Sequence, residues 1–330
     1  MTHHLSVYRV LAVAGVLAIN SFGAAVGATS PSAFPERPIR VVLGFPPGGG
    51  SDAVARIISP KLYEDLGQQM VVDNRPGAGG NIATEIVTQA NPDGYTVLLG
   101  FSTTLTANPM LYKLKYDVAR DLQPVINLVE GQYVLVLHPS VPAKSLKEFI
   151  DLAKAKPGTL NYASSGIGSA SHLVTELFKA RTGVNIVHVA YKGGGPATTA
   201  QLGGEVEVQF ASLPSSIPYV KAGKLRALAV SGPKRAATAP DIRTIAELGF
   251  PGFEMSSWYG LLVPAKTPSR IVNILYEAVR KALQLADVRE QYLRLGLEIA
   301  VKDPKQFAAQ IKAETKIWAK VIETTGIQVR

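Results

Sequence analysis

The sequence predicts an α/β protein made of two lobes, each a mostly parallel β-sheet flanked by helices. Strand-like segments rich in β-branched residues alternate with helical segments along the chain, which favours parallel strands joined by helical crossovers. The order of strand, glycine-bearing loop and helix also occurs twice. The glycines that align between the two copies are Gly50 with Gly166, Gly67 with Gly183, Gly77 with Gly193, and Gly79 with Gly195. We therefore expect related lobes with ligand-facing loops at the carboxyl ends of their strands.

The first lobe is expected to begin with a strand at 39–45 and a helix at 52–67, which Pro60 should bend. Ser145 and Glu148 form the capping-box pattern at the start of a later helix. Further strands are expected at 69–74, 95–100, 128–139, 159–164, 185–191, 205–212, 225–232 and 258–265. Further helices are expected at 81–90, 145–158, 171–183, 196–204, 216–224, 268–285, 286–295 and 304–325.

The N-terminus has the three-part pattern of a secretory signal peptide, expected at 1–28. Arg9 precedes the apolar run "VLAVAGVLAI", and small residues then lead to Ala28. Because this run is shorter than the roughly 20 residues that cross a bilayer, cleavage after Ala28 is favoured over a membrane anchor. The sequence has no cysteine, which excludes a lipid anchor on a processed cysteine, disulfides and thiolate metal sites. We expect an exported protein of the periplasm.

Composition and charge narrow the class of protein. Of the 330 residues, 47% are hydrophobic and 18% charged, as in a globular chain with room for two domains. The formal charge of +9 is spread along the sequence and is not clustered with aromatic residues, which argues against a nucleic-acid binder. The charge supports only a general preference for anionic ligands.

The loop "FPPGGGSD" at 45–52 resembles two nucleotide motifs without satisfying either. Its glycines formally match the G-x-G-x-x-A dinucleotide fingerprint, with Asp73 in the place of the ribose-binding acid. However, Pro46 and Pro47 break the tight turn that those glycines serve, and exported proteins meet little free nicotinamide cofactor. A phosphate-binding loop would require lysine where Gly50 stands. No cofactor is expected.

The same loop suits a receptor for a negatively charged solute. Glycines let the backbone approach a ligand closely, and the first amides of the following helix have no partner within the helix. A carboxylate fits there without a formal positive charge. Ser51 and Asp52 could instead cap the helix; that alternative is even for Asp52, and ligand contact is favoured for Ser51.

Other loops after strands offer similar groups. "SSGIGSASHL" at 164–173 supplies serines and glycines, and Ser102 and Thr103 follow another strand. Two further strands are followed by "YKGGG" at 191–195 and by Ser212. Each of these loops could instead be only a turn with a capped helix.

Catalysis is disfavoured. No G-x-S-x-G elbow is present and no histidine spacing resembles a zinc site. His172 lies just after the serine loop, so it either touches ligand or, as the favoured alternative, packs; His138 and His188 are expected to be structural.

Several ordered motifs carry a resemblance to a known family. They are "FPERPIRVVLGFPPGGGSD", "VDNRPGAGGNIATE", "NPDGYTVLLG", "YASSG", "YKGGGPA", "KAGKLRALAV", "ELGFPGFE" and "WYGLLVPAKTP". From about residue 34 to 330, the chain resembles the substrate-binding proteins of tripartite tricarboxylate transporters, the Bug family.

The resemblance implies a type II periplasmic-binding-protein fold that closes like a flytrap, with lobes joined by crossing strands. Lobe 1 would comprise 34–133 and 255–330, and lobe 2 would comprise 134–254. The ligand would be a small carboxylate held by amides, hydroxyls and water. The partner would be a two-component membrane permease, and we expect a monomer.

Carried over position by position, the resemblance gives a set of expected ligand-binding residues. They are Phe45, Gly48, Gly49, Gly50, Ser51, Asp52, Ser102, Thr103, Ser165, Gly166, Gly168, Ser169, Tyr191, Lys192, Gly193 and Ser212. One departure concerns ligand class: Ala211 and Ser212 stand where many members have an aspartate, which argues against an amino-acid ligand.

The sequence therefore favours a non-catalytic periplasmic receptor that captures a small organic acid between two closing lobes. The competing class is an exported enzyme, either a hydrolase or a dinucleotide-dependent oxidoreductase. A sensor that signals to a membrane kinase would have the same sequence features.

Overall fold

The computed structural model describes residues 34–328, so the expected signal peptide at 1–28 lies outside the described residues. Within them the strands are β1 Ile39–Leu43, β2 Met70–Asn74, β3 Thr96–Phe101, β4 Leu122–Leu137, β5 Asn161–Ser164, β6 Val187–Ala190, β7 Val208–Ser212, β8 Arg226–Val230, β9 Ser256–Pro264 and β10 Leu297–Lys302. The α-helices are α1 Gly50–Ile58, α2 Tyr63–Leu66, α3 Asn81–Thr88, α4 Ser102–Thr106, α5 Asn108–Leu111, α6 Val118–Asp121, α7 Leu146–Ala155, α8 Ala170–Thr182, α9 Gly194–Leu202, α10 Leu213–Lys221, α11 Ser269–Ala282, α12 Ala286–Arg294 and α13 Pro304–Thr325.

Strand β4 is shared by two sheets. Its first part, up to Gln132, pairs antiparallel with β9, and from Tyr133 onward it pairs antiparallel with β7. The first sheet also holds β1, β2, β3 and β10, and the second holds β5, β6 and β8. After β8 the chain returns beside β4, where the Met255 N–H donates to the Ser231 carbonyl at 2.7 Å. The two sheets are thus joined by strands that run between them.

The two sheets have parallel parts of the same order, β2-β1-β3 and β6-β5-β7. In the first sheet β3 is antiparallel to β9 and β9 to β4, so β3 and β4 run in the same direction, toward the junction. In the second sheet β4 runs away from the junction, and the antiparallel β7 therefore runs back toward it. The loops after the parallel strands of both sheets consequently lie along the boundary between them.

Each sheet differs from a purely parallel one for the same reason. The parallel strands of each sheet end at the junction. A strand that arrives from the other lobe, β9 in the first sheet and β4 in the second, starts at the junction and therefore runs antiparallel to them. This accounts for the antiparallel pairs of β4 and β9 with their neighbours, while β10, which lies within the first sheet, adds one more antiparallel pair beside β4. Both faces of the sheets are covered by other elements, which explains why the buried segments 97–99 of β3 and 134–137 of β4 are continuous apolar runs.

The C-terminal helix α13 packs against both cores. Phe307 and Ile311 belong to a buried cluster with Trp258 and Leu262 of the first sheet. About two turns after Ile311, Trp318 is buried in the main cluster of the second sheet. The predicted lobe boundaries at 134 and 254 stay a prediction, but β4 and α13 are the elements that tie the lobes together.

Local signals in the sequence explain several boundaries. The predicted helix at 52–67 is interrupted by a 3₁₀ turn at Ser59–Leu62 that contains the proline, and Gly67 ends it with φ 64°. The Ser145 hydroxyl accepts the Glu148 N–H as predicted, but the Glu148 carboxylate accepts the N–H of Lys144. The capping box is therefore displaced by one residue.

Candidate functional site

The first glycine loop leaves the opening amides of α1 unused by the helix. Gly49 is the extended N-cap, with φ −81° and ψ 175°, and its carbonyl accepts the first helical bond, from the Ala53 N–H at 3.0 Å. The N–H groups of Gly50, Ser51 and Asp52 precede that bond, so they have no partner within the helix. They carry the positive end of the helix dipole and can bind an anion.

The Asp52 side chain braces this loop. Its carboxylate accepts the Gly48 N–H at 3.0 Å, the Arg56 Nε–H at 2.8 Å and the Asn74 amide at 3.1 Å. The same Asn74 amide also donates to the Phe45 carbonyl. The side chain is 6% exposed, and the hydrogen bond from Arg56 lowers the pKa of Asp52 to about 2. Asp52 was predicted to contact the ligand. Because its carboxylate is already bound by these three donors, only its backbone N–H can do so.

Aromatic rings of three strand ends lie beside the loop. The Phe101 ring is 5.6 Å from Phe45 and 5.0 Å from Tyr259. The Tyr259 hydroxyl would be 2.8 Å from a Cβ placed on Gly50, so it lies directly against the start of α1. Burial raises the pKa of Tyr259 to about 12, and the phenol is therefore a neutral hydrogen-bond donor at physiological pH. Neither Phe101 nor Tyr259 was among the predicted site residues.

Ser102 and Thr103 open helix α4 at the end of β3. Ser102 is 1% exposed, and its buried hydroxyl has no hydrogen-bond partner among residues 34–328. An unpaired buried hydroxyl costs about 1–3 kcal/mol. Its neighbour Thr104 binds the Gly79 carbonyl at 2.7 Å, which ties the next glycine loop to this one. Ser102 therefore lies at the loop with its hydroxyl unpaired among the described residues.

The serine loop of the second sheet is held by its own hydroxyls. Ser171 bonds the Ser165 hydroxyl at 3.0 Å and the Ser169 hydroxyl at 3.1 Å, and it accepts the Ser165 N–H at 2.9 Å. Ser169 also caps α8 by accepting the His172 N–H. Gly166 and Gly168 have φ of 130° and 74°, conformations that favour glycine. Ser165 and Ser169 therefore have structural partners besides any ligand.

His172 packs, which was the favoured alternative. It is buried, and its Nδ1 accepts the Gly168 N–H at 3.0 Å. Burial, together with the neighbouring His188, lowers the pKa of His172 to about 4. The ring is a poor general base at neutral pH.

The remaining predicted residues come from two further strand ends. Tyr191 and Lys192 follow β6, and Gly193 is the N-cap of α9 with φ 116°. Tyr191 touches the serine loop, since its carbonyl would be 3.5 Å from a Cβ on Gly166. Ser212 ends β7 opposite Tyr133 of β4, next to the junction of the sheets. Tyr133 was not predicted, because it reads as an ordinary strand residue.

Comparisons with known proteins identify the family. The sequence profile of the tripartite tricarboxylate transporter family receptor matches residues 54–327. The chain belongs to this receptor family. Protein BugT of Bordetella pertussis is 36% identical over 329 residues, 99% of this chain and 100% of that protein. The predicted membership of the Bug family is confirmed.

Solved structures of relatives confirm the predicted two-lobed periplasmic-binding-protein fold. The R. palustris protein Rpa4515 with adipate is 37% identical, with a TM-score of 0.77 over 89% of this chain and 99% of that one. MatC from Rhodopseudomonas palustris with bound malate is 34% identical, with a TM-score of 0.73 over 88% of this chain and 100% of that one. Among residues 34–328, no helix is long and apolar enough to span a bilayer.

Proposed function

We propose that this protein is a periplasmic receptor that holds a small organic acid between its two lobes and delivers it to a two-component membrane permease. The observation that carries the proposal is the convergence of strand ends from both sheets on their common boundary. The loops there present helix-opening amides at 50–52, the unpaired hydroxyl of Ser102 and the serine loop at 164–169. This set of donors suits a carboxylate.

The charges at the boundary between the sheets favour an anionic ligand. The Asp52 carboxylate is turned into the loop and paired with Arg56, so it does not oppose an anion. Lys192 is exposed at the start of its loop and adds positive charge. The relatives whose structures contain adipate and malate support a dicarboxylate. Mono- and tricarboxylates and aromatic acids fit the same donors.

The receptor acts by binding, as a monomer and without catalysis. His172 is an acceptor for the Gly168 N–H and stays neutral, so it has no proton-transfer role. Closure of the lobes would bend the segments that join the two sheets. These are chiefly β4 and the chain near Ser231 and Met255, where it passes back from the second sheet to the first. Contacts made only in the closed form would shift the population toward it.

Substitution at Gly49 tests the anion site with little risk to the fold. Asp and Asn are both favoured at an N-cap, so Gly49→Asp and Gly49→Asn should leave the melting temperature within a few degrees of the wild type. The aspartate places a negative charge against the ligand. We expect Gly49→Asp to weaken binding of adipate or malate at least roughly tenfold more than Gly49→Asn, measured by calorimetry.

Neutral analogues complete this test. The diamides of adipic and malic acid have the same shape without charge, and they should not raise the melting temperature. Equal stabilisation by the diamides, or equal affinity of the two Gly49 variants, would reject the anion site. Turnover of either acid by the purified protein would favour the enzyme alternative.

A further inference from the structure

Two stacked imidazoles lie behind the serine loop of the second sheet. The rings of His172 on α8 and His188 on β6 have centroids 4.0 Å apart and planes within 8° of each other. The Tyr162 ring of β5 continues the stack, 4.8 Å from His188. The proposed ligand contacts do not use these side chains, which raises the question of what the stack does.

Each imidazole forms a hydrogen bond with the loop at 164–169. The Nδ1 atom of His172 accepts the N–H of Gly168 at 3.0 Å. The Nε2 atom of His188 is 2.6 Å from the Ser164 hydroxyl, which also accepts the Gly166 N–H at 3.1 Å. His172 therefore fixes the backbone at Gly168 directly, and His188 fixes that at Gly166 through Ser164; both glycines have positive φ.

The charged groups around the stack are already paired with one another. Glu176 accepts the Tyr162 hydroxyl at 2.6 Å and pairs with Lys179 at 2.7 Å. Lys179 also lies over the Tyr162 ring, 5.6 Å from its centroid. Burial lowers the pKa of both His172 and His188, and Glu176 only partly opposes this effect. The stack is thus a neutral element beside a satisfied ion pair.

We propose that His172 and His188 are positioning residues that hold the loop at 164–169 in its ligand-binding conformation by acting as neutral hydrogen-bond partners of its backbone and of Ser164. The inference rests on the proposed function of the site as a carboxylate receptor. A neutral His172 accepts at Nδ1, whereas a protonated imidazole donates from both nitrogens. Protonation would therefore set two donors, Nδ1–H and the Gly168 N–H, against each other.

Substitution at His172 separates positioning from packing. In His172→Asn the amide oxygen takes nearly the place of Nδ1 and does not titrate, whereas His172→Leu removes the acceptor but still fills space. We expect the leucine variant to bind adipate and malate at least roughly tenfold more weakly at pH 7.5, and the asparagine variant to stay within about threefold of the wild type. His138→Asn, at a histidine bonded to Ser140, is the matched control and should change nothing.

Titration of the His172 ring by NMR, with and without adipate, gives a second readout. Positioning by the neutral ring predicts that bound ligand lowers the His172 pKa or leaves it unchanged. A rise on binding would mean that the acid binds more tightly when His172 is protonated, which would overturn the proposal. Equal affinity of the asparagine and leucine variants would also overturn it.

Amide exchange in the ligand-free protein makes the inference independent of the ligand. The protection factor of the Gly168 amide should fall in His172→Leu and be restored in His172→Asn. If no acid from a panel of mono-, di- and tricarboxylates and aromatic acids binds the wild type, the proposed function fails, while this comparison still decides whether His172 positions the loop. Unchanged Gly168 protection in the leucine variant would reject the positioning role.

Discussion

The two lobes brace equivalent loops with different chemistry. In the first lobe a buried carboxylate, Asp52, holds the glycine loop and is neutralised by Arg56. In the second lobe hydroxyls and neutral imidazoles hold the serine loop, with His172 bonded to the backbone of Gly168. In both lobes the bracing side chains form their hydrogen bonds within the loop or with neighbouring residues of the chain. Under the proposed function, the backbone amides that each brace leaves unpaired would bind the anion.

The comparison also shows which repeated glycines are equivalent. Gly67 and Gly183 both end a helix in the left-handed conformation, with φ of 64° and 73°. Gly77 and Gly193 both precede a helix with φ of 137° and 116°. At these two pairs, the glycines that align between the two halves of the sequence also share a backbone conformation. The remaining pairs, Gly50 with Gly166 and Gly79 with Gly195, do not share one, since only Gly166 and Gly79 have positive φ.

The largest expected effects come from helix α13, which tests whether the lobes unfold together. Trp318 is 1% exposed in the core of the second lobe, and Phe307 is fully buried in that of the first. Trp318→Ala and Phe307→Ala should each lower the free energy of unfolding by about 3–5 kcal/mol. Denaturant unfolding should show one transition for both variants. Two separated transitions would mean that α13 does not couple the lobes.

Acid should affect the second lobe before the first. Unfolded histidine binds a proton near pH 6.5, whereas folded His172 does so only near pH 4, so the unfolded state takes up more protons between these values. The His172 contribution to stability should therefore fall by roughly 3 kcal/mol as the pH drops from 6.5 to 4, while Glu314, whose pKa burial raises to about 7, contributes in the opposite direction. The Asp52 contribution is lost only between pH 3.8 and about 2. Urea unfolding of the wild type at several pH values measures the sum of these contributions, so a variant is needed to separate that of His172.

A variant isolates the histidine contribution. Relative to the wild type, His172→Asn should lose the roughly 3 kcal/mol fall in stability that belongs to His172 between pH 6.5 and 4, while the contributions of His188 and Glu314, which oppose each other, remain. His138→Asn should retain the full slope. An identical slope in the wild type and His172→Asn would show that other groups control acid sensitivity.

Removal of the carboxylate brace should have an intermediate effect. Asp52→Ala leaves the Gly48 N–H, the Asn74 amide and Arg56 without their shared acceptor. Because Arg56 is more than half exposed, we expect a loss of about 2 kcal/mol in unfolding free energy together with weaker carboxylate binding. Asp151→Ala, which breaks an exposed pair with Lys147, should cost only about 0.3–0.5 kcal/mol. A cost equal to that of the control would refute the brace.

The sequence was sufficient for the parallel strands, for β9 and for the longer helices, but not for the short helices α4, α5 and α6, for the full extent of β4 or for β10. β4 begins at Leu122, earlier than predicted, because Pro124 lies at a bulge and does not end the strand. β10 was missed, since Leu297–Lys302 is short and is defined by its antiparallel pairing with β4. Pairing partners that lie far along the chain leave no local signal.

The candidate site was predictable where glycine and serine mark a loop, and less so where a strand residue faces it. Tyr259 and Tyr133 look like ordinary strand residues, and only the junction of the sheets brings them to the boundary. For Asp52, its residue type fitted both a cap and a ligand contact. The structure supplies the deciding fact, which is the set of donors already bound to its carboxylate.

The smallest expected effect compares the two left-handed glycines. A Cβ on Gly67 meets nothing within 4 Å, and one on Gly183 meets only Lys154 at 3.8 Å, so backbone strain alone should act in alanine variants. Gly67→Ala and Gly183→Ala should each lower the unfolding free energy by about 1 kcal/mol, equally within error. Gly195→Ala, in a helix without positive φ, should raise it by roughly 0.5 kcal/mol. Unequal costs at Gly67 and Gly183 in thermal unfolding would show that the two helix ends differ despite their matched conformation.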